Sequence, residues 1–294
     1  MRPVDLLALE RARRRLFSVP QVPWLHGEVA RRMADRLSIV RITPQTLLDW
    51  GGPSGGAAQL LAGAYPSSRR VSVGHAPQAI QEARARPKWK LFPWLGSSLA
   101  NPWVAEDAVV QGGAGLVWSN MALHAQPDPG AMMQRWHRAL GVGGFLMFST
   151  FGAGTLPELR EIYAEQGWGS PAGALVDMHD LGDMLVEVGF ADPVMDQETI
   201  QLTWPDARSA LSELRGLGAN VDPVRHRGLR TPRWRDRLFQ ALHRQSRQRA
   251  DGRVCLSFEV VYGHAFRVAA RPRVAAVTKV DLEDMRDMTR TTRR

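Results

Sequence analysis

Asp49, Gly51 and Gly55 stand within Leu47 to Gly56, LLDWGGPSGG, in an order that can hold a nucleotide. An apolar run follows Pro44, ends on a carboxylate and breaks into glycines, and the amphipathic segment Ala57-Ala58-Gln59-Leu60-Leu61-Ala62 comes next. Strand, glycine turn and helix in this order open a nucleotide site at the carboxyl end of the first strand of an α/β sheet. Glycine lets the backbone approach a ligand closely, and Asp49 puts a charge at the strand end. An ordinary strand-to-helix loop has the same composition, so the rest of the chain must decide.

The elements that would position this stretch alternate. Leu25, Val29, Met33 and Leu37 recur every four residues, which predicts a helix from Trp24 to Leu37 ahead of the first strand. Arg70 to Val73 reads as a second strand, Pro77 to Arg84 as a helix, and Lys88 to Leu95 as a third strand at an edge because of Pro93. Residues 96–114 read as loop. Leu116 to Ser119 is a fourth strand, Pro129 to Leu140 a helix, and Gly144 to Phe151 a fifth strand whose continuous apolar run suits a parallel strand covered on both faces. Helices follow over 155–165 and from Met178, behind Asp177, to Val188, before Gly189. Glu198 to Trp204 and Arg253 to Phe266 read as strands, with helices at 205–216 and 232–249 between them. Such alternation predicts a doubly wound, mostly parallel α/β sheet.

Composition sets bounds on function. The chain has 294 residues, and no run of eighteen apolar residues that could cross a membrane. Its single cysteine, Cys255, forms no internal disulfide, rules out zinc sites built on several cysteines, and suits a reducing cytoplasm. The formal net charge is +9, carried mostly by arginine, and points to acidic partners. Ten arginines lie between Arg225 and Arg253 against two acids, Asp236 and Asp251. Nucleic acid is the weaker candidate partner, because aromatic stacking motifs are missing beside the charge.

Three blocks carry a resemblance. They are LVWSNMALHAQPDPGAMMQRWHRALGVGGFLMFSTFGAGTLPELR at 116–160, VDMHDLGDMLVEVGFADPVMD at 176–196 and GRVCLSFEVVYGHAF at 252–266. In register and in order, they resemble the malonyl-acyl-carrier-protein O-methyltransferases of biotin synthesis, within the class I S-adenosylmethionine-dependent methyltransferases. The resemblance implies a Rossmann-like, seven-stranded sheet with its last strand antiparallel, a role for 253–266. It implies S-adenosylmethionine as cofactor, and as substrate the free carboxylate of a malonyl thioester on acidic acyl carrier protein, or of malonyl-CoA. It covers a methyltransferase-like domain at 24–267 with helical insertions about 155–173 and 205–250; outside it, 1–23 reads as a basic segment and 268–294, without apolar periodicity, as a disordered tail. A carboxylate is ionised at neutral pH and needs no strong base to attack a sulfonium methyl, so no catalytic residue and no metal is expected.

The resemblance implies cofactor contacts at Asp49, Gly51, Gly55, Gly74, His75, Ser119 and Asn120. Polar candidates for the malonyl end are Thr150, Thr155, His179 and Tyr262, each of which also reads as a structural residue. The sequence departs from the family around the cofactor. Pro53 stands at the middle glycine of the loop, removing an amide donor. Gly74, followed by His75, stands where an acid ends the second strand. The acid after the third strand is replaced around Ser97, Gly115 stands for an aspartate, and Ala125 for a tryptophan. A non-catalytic relative that acts as a binding partner is therefore the alternative expectation.

Overall fold

The computed structural model describes residues 4–18, 22–74, 102–218, 220–226, 228–247 and 249–269. The expected helix at 77–84, the strand at 88–95, His75, Ser97 and residues 270–294 of the expected tail lie outside them.

The strands are β1 (Thr46–Trp50), β2 (Arg69–Val73), β3 (Trp103–Val104), β4 (Ala114–Ser119), β5 (Leu140–Phe151), β6 (Ala191–Trp204) and β7 (Val254–Phe266). They form one sheet in the order β3-β2-β1-β4-β5-β7-β6. The five strands β1 to β5 pair in parallel, and β7 runs antiparallel between β5 and β6. The expected seven strands with an antiparallel last strand are present.

Period-two alternation explains why both faces are covered. Leu47, Leu116, Trp118, Phe145 and Met147 enter one core, while Leu48, Trp50, Val117, Leu146 and Phe148 enter the other. Strands buried on both faces need no polar residues, and their sequences read as apolar runs. The first core takes Leu25, Val29 and Met33 from α2 (Trp24–Asp35) and Leu61 from α3 (Ala58–Ala64). The second takes Met132, Met133 and Trp136 from α4 (Pro129–Ala139) and Leu181 and Leu185 from α6 (Met178–Val188). Between these helices lies α5 (Pro157–Glu165), and α7 (Ala207–Gly216) and α8 (Pro232–Ser246) separate β6 from β7.

Local capping sets several boundaries. Asp128 accepts from Ala131 N at 2.9 Å ahead of Pro129, and Asp177 accepts from His179 N at 2.9 Å. Gly189 closes α6 with φ of 104°, a conformation that a side chain resists.

Three sequence expectations need correction. Residues 96–114 are not all loop: β3 pairs with β2 through Ser72↔Trp103 and Val73↔Val104, and β4 begins at Ala114. The fifth strand begins at Leu140 rather than Gly144, directly after α4. The strand expected at 198–204 begins at Ala191, because twelve of its residues find partners on β7, a pairing that local polarity around Asp192 and Asp196 conceals. The basic start, for which the sequence reading names no element, carries α1 (Leu6–Ser18), capped by Asp5, which accepts from Ala8 N at 3.0 Å. Among the described residues no helix is long and apolar enough to cross a membrane.

Gly263, in the middle of β7, has no room for a side chain: a Cβ there would run into the Phe148 ring and come within 3.0 Å of Met195 Sδ. Gly263→Ala is expected to lose about 1–3 kcal/mol of stability through overpacking, read as a lower urea midpoint at unchanged slope.

Candidate active site

In this sheet β1 has β2 on one side and β4 on the other, so chain connections diverge at its carboxyl end. Open α/β sheets bind ligands at such a point. The loop after β1 begins with Gly51, whose N–H donates to Val73 O at 3.0 Å. Gly51, Gly52 and Gly56 have φ of 100°, 64° and 70°, the left-handed region where glycine carries no penalty. Space is limiting as well. A Cβ on Gly52 would lie 2.5 Å from the Trp103 ring, and one on Gly55 would lie 3.3 Å from Asn120 Cβ.

Asn120, just past β4, is committed to the fold. Its amide nitrogen donates to His26 O at 2.8 Å and Gly55 O at 2.6 Å, and its oxygen accepts from Ser149 Oγ at 2.6 Å. Ser149 Oγ in turn accepts from Met121 N at 3.1 Å. This side chain therefore fixes the loop on which the expected cofactor would rest, with its amide hydrogens already in use. Ser119 differs: it is fully buried, and its hydroxyl has no hydrogen-bond partner among the described residues.

Asp49 is 3% exposed at the end of β1, and burial pushes its carboxyl up to about 7, against a smaller opposing pull from Arg70 on β2. Gly74 has φ of 131°, and a Cβ there would meet nothing within 4 Å among the described residues. The loop glycines, Ser119 and the strand-end position fit an adenosyl ligand held mainly by backbone, without a carboxylate at Gly74 to grip a ribose.

The four substrate candidates do not converge. Thr155 lines a cavity, but its hydroxyl already donates to Glu259 O at 3.0 Å. Thr150 is buried at the end of β5, with a long contact of 3.5 Å to Phe151 O. His179 lies exposed at the start of α6, where Nδ1 is 3.0 Å from Asp177. Tyr262 donates to Glu198 Oε1 at 2.6 Å, and the Arg36 guanidinium sits 4.0 Å above its ring. Burial, and then the bond to Glu198, pushes that phenol up. Arg32 also pairs with Glu198, so Tyr262 serves a tie between α2, β6 and β7.

The cavity that takes Thr155 has a volume of about 420 Å³. His124 and Ala125, past the end of β4, and Phe151, the last residue of β5, contribute to it together with Leu9 of α1, Leu214 of α7 and Leu238 of α8. The volume is in the range of about 300–1,000 Å³ that takes small organic ligands. Sequence reasoning missed it because its walls come from segments far apart in the chain; the apolar face Trp234, Leu238 and Leu242 of α8 was the available signal.

No protein-family model matches the chain. The malonyl-acyl-carrier-protein O-methyltransferase of Laribacter hongkongensis is 38% identical over 254 residues, covering 85% of this chain and 84% of that one. The protein of the same name in Halorhodospira halophila is 36% identical over 282 residues, 94% of each chain. Among solved structures, the YcgJ protein of Bacillus subtilis aligns with a TM-score of 0.52 at 10% identity, covering 82% of this chain and 99% of its own. A Bacillus halodurans protein described as a candidate methyltransferase gives 0.51 at 17%, covering 81% and 99%. At such identities these structures speak for the fold alone, which is the Rossmann-like class I methyltransferase fold.

Two outcomes follow from the site. Asn120→Ala strands buried partners on three segments and is expected to lose roughly 2–4 kcal/mol in chemical denaturation. Asp49 binds its proton more tightly folded, at about 7 against 3.8 unfolded, so its contribution is full below about pH 4 and is lost as pH rises through about 7. Burial lowers His137 and His264, which destabilise in the opposite direction as pH falls. The difference between the parent and Asp49→Asn removes that background. The parent is expected to lose stability relative to Asp49→Asn between pH 4.5 and 7.5, in urea titrations at each pH.

Proposed function

The chain belongs to the malonyl-acyl-carrier-protein O-methyltransferase family, and from that premise we propose that it methylates the free carboxylate of a malonyl group carried as a thioester on acyl carrier protein or on coenzyme A, at an early step of biotin synthesis. The carrying observation is the identity of 36–38% spread over most of both chains. S-adenosylmethionine, when bound, supplies an electrophilic methyl on a sulfonium. The backbone of Gly51 to Gly56 and the end of β4 at Ser119 would hold it.

The work left to the protein is alignment and exclusion of water. A malonate carboxylate is ionised at neutral pH, so no side chain has to remove a proton. The cavity beside the ends of β4 and β5 supplies the dry volume. Among the described residues, its lining carries no carboxylate that would repel the acceptor. An apolar enclosure disfavours the anion and favours the neutral ester, so the transfer runs toward the form that the walls accept.

A docking face for an acidic carrier is available on α8. Arg233, Arg237 and Arg244 project from one side of the helix and are exposed. Charge complementarity of this kind governs encounter more than residence.

Incubation with malonyl-acyl carrier protein and S-adenosylmethionine is expected to add one methyl group by intact-mass spectrometry, and calorimetry is expected to detect S-adenosylhomocysteine binding. Absence of both in folded protein would leave the reading without support. Arg233→Glu with Arg237→Glu is expected to raise KM for the carrier-bound substrate several-fold at low salt, with kcat and the response to malonyl-CoA nearly unchanged.

A further inference from the structure

The substrate cavity is far larger than a three-carbon acyl group needs, at about 420 Å³. Part of the arm that carries the acyl group therefore enters with it. On the reading proposed above, that arm has two anionic ends: the malonyl carboxylate and the phosphate of phosphopantetheine. Among the described residues, the lining contains one arginine, Arg215, and no lysine, aspartate or glutamate.

Arg215 sits in the last turn of α7 and is exposed, which puts it at the mouth. His124 and Ala125, past the end of β4, and Phe151, the last residue of β5, line the cavity on the side on which the glycine loop lies. Two polar side chains of the lining, Thr155 and Asn220, are already engaged. Thr155 donates to Glu259 O, while Asn220 donates to Ser170 O at 2.8 Å and accepts from Asp222 N at 2.9 Å. Arg230, nearby in sequence, is spent on Trp168 O at 3.2 Å and on the face of Trp234 at 4.7 Å. Arg215 has no hydrogen bond or ion pair to another described residue. Among the described residues of the lining, it is the one arginine or lysine, and it remains available.

We propose that Arg215 is a specificity-determining residue that binds the phosphate of the phosphopantetheine arm at the cavity mouth. The reacting carboxylate is the poorer partner on two grounds. It must reach the ends of β4 and β5, on the side of the loop that would hold the methyl donor, whereas Arg215 is exposed on α7. A guanidinium fork would also occupy the oxygen lone pairs that have to attack. A phosphate outside the apolar volume stays hydrated on one side and meets the guanidinium on the other, so no charge is buried. An arginine in the last turn also complements the helix dipole, a purely structural role that the test must separate.

The test compares Arg215→Gln and Arg215→Lys with the parent on two acceptors, malonyl-CoA, which carries the phosphate, and malonyl-N-acetylcysteamine, which lacks it. Arg215→Gln is expected to raise KM for malonyl-CoA about fivefold at low ionic strength with kcat kept, to leave the phosphate-free thioester unchanged, and to be partly rescued by lysine. Binding of 4′-phosphopantetheine itself, followed by calorimetry, is expected to weaken by a similar factor. An equal rise for both acceptors would assign Arg215 to the carboxylate or to the fold, and no change in either would remove it from recognition; both overturn the proposal. If no thioester is methylated by the parent, the functional reading fails, while the calorimetric comparison still decides the role of Arg215.

Discussion

One buried amide, that of Asn120, ties together the parts that surround the site. Its two hydrogens and its oxygen reach α2 through His26, the glycine loop through Gly55 and β5 through Ser149. None of these segments is adjacent to Asn120 in sequence, and each would otherwise carry a buried polar group to be satisfied separately. The loop after β1 thus takes its position from a residue after β4. This geometry also explains Gly55, since a Cβ there would press against Asn120 Cβ.

Strain accumulates at the same edge of the sheet. Met121, directly after Asn120, and Leu156, at the start of α5, are non-glycine residues with φ of 52° and 58°. Each such residue costs on the order of 1–3 kcal/mol and persists only where its surroundings hold it. Met121 N is fixed by Ser149, and Leu156 N donates to Ser257 O at 2.7 Å. The strand β7 supplies further ties. Glu259 accepts from Gly154 N at 3.1 Å, and Glu158 of α5 accepts from Ser257 N at 3.0 Å and from its hydroxyl at 2.5 Å. The antiparallel strand thus shapes the cavity by fixing the loop that leaves β5, besides completing the sheet.

The departures from the family that were visible around the cofactor take a different meaning in three dimensions. Gly115 has Pro44 Cβ only 2.9 Å from where its own Cβ would be, so an aspartate there would collide with the start of β1. Gly52 carries the Trp103 ring against it. The loop after β1 keeps positive φ angles at Gly51, Gly52 and Gly56.

Much of the fold was legible because its signals are local. Apolar runs at β4 and β5, the caps Asp128 and Asp177, and Gly189 each act within a few residues, and the order of the three resembling blocks pointed to the family. The first half of β6 was not legible, because its polar residues become a strand only against β7. The site residues were less legible still. Asn120 and Tyr262 carry the polarity of ligand contacts, and only tertiary placement shows their hydrogen bonds closed within the protein. Of the cavity only the apolar face of α8 was legible, and Arg215 had no sequence signal of its own. Covalent order and side-chain periodicity determine which elements form, since these act over one or two turns or pleats. Which polar groups remain available for a ligand depends on partners a hundred residues away, and only the packed chain decides that.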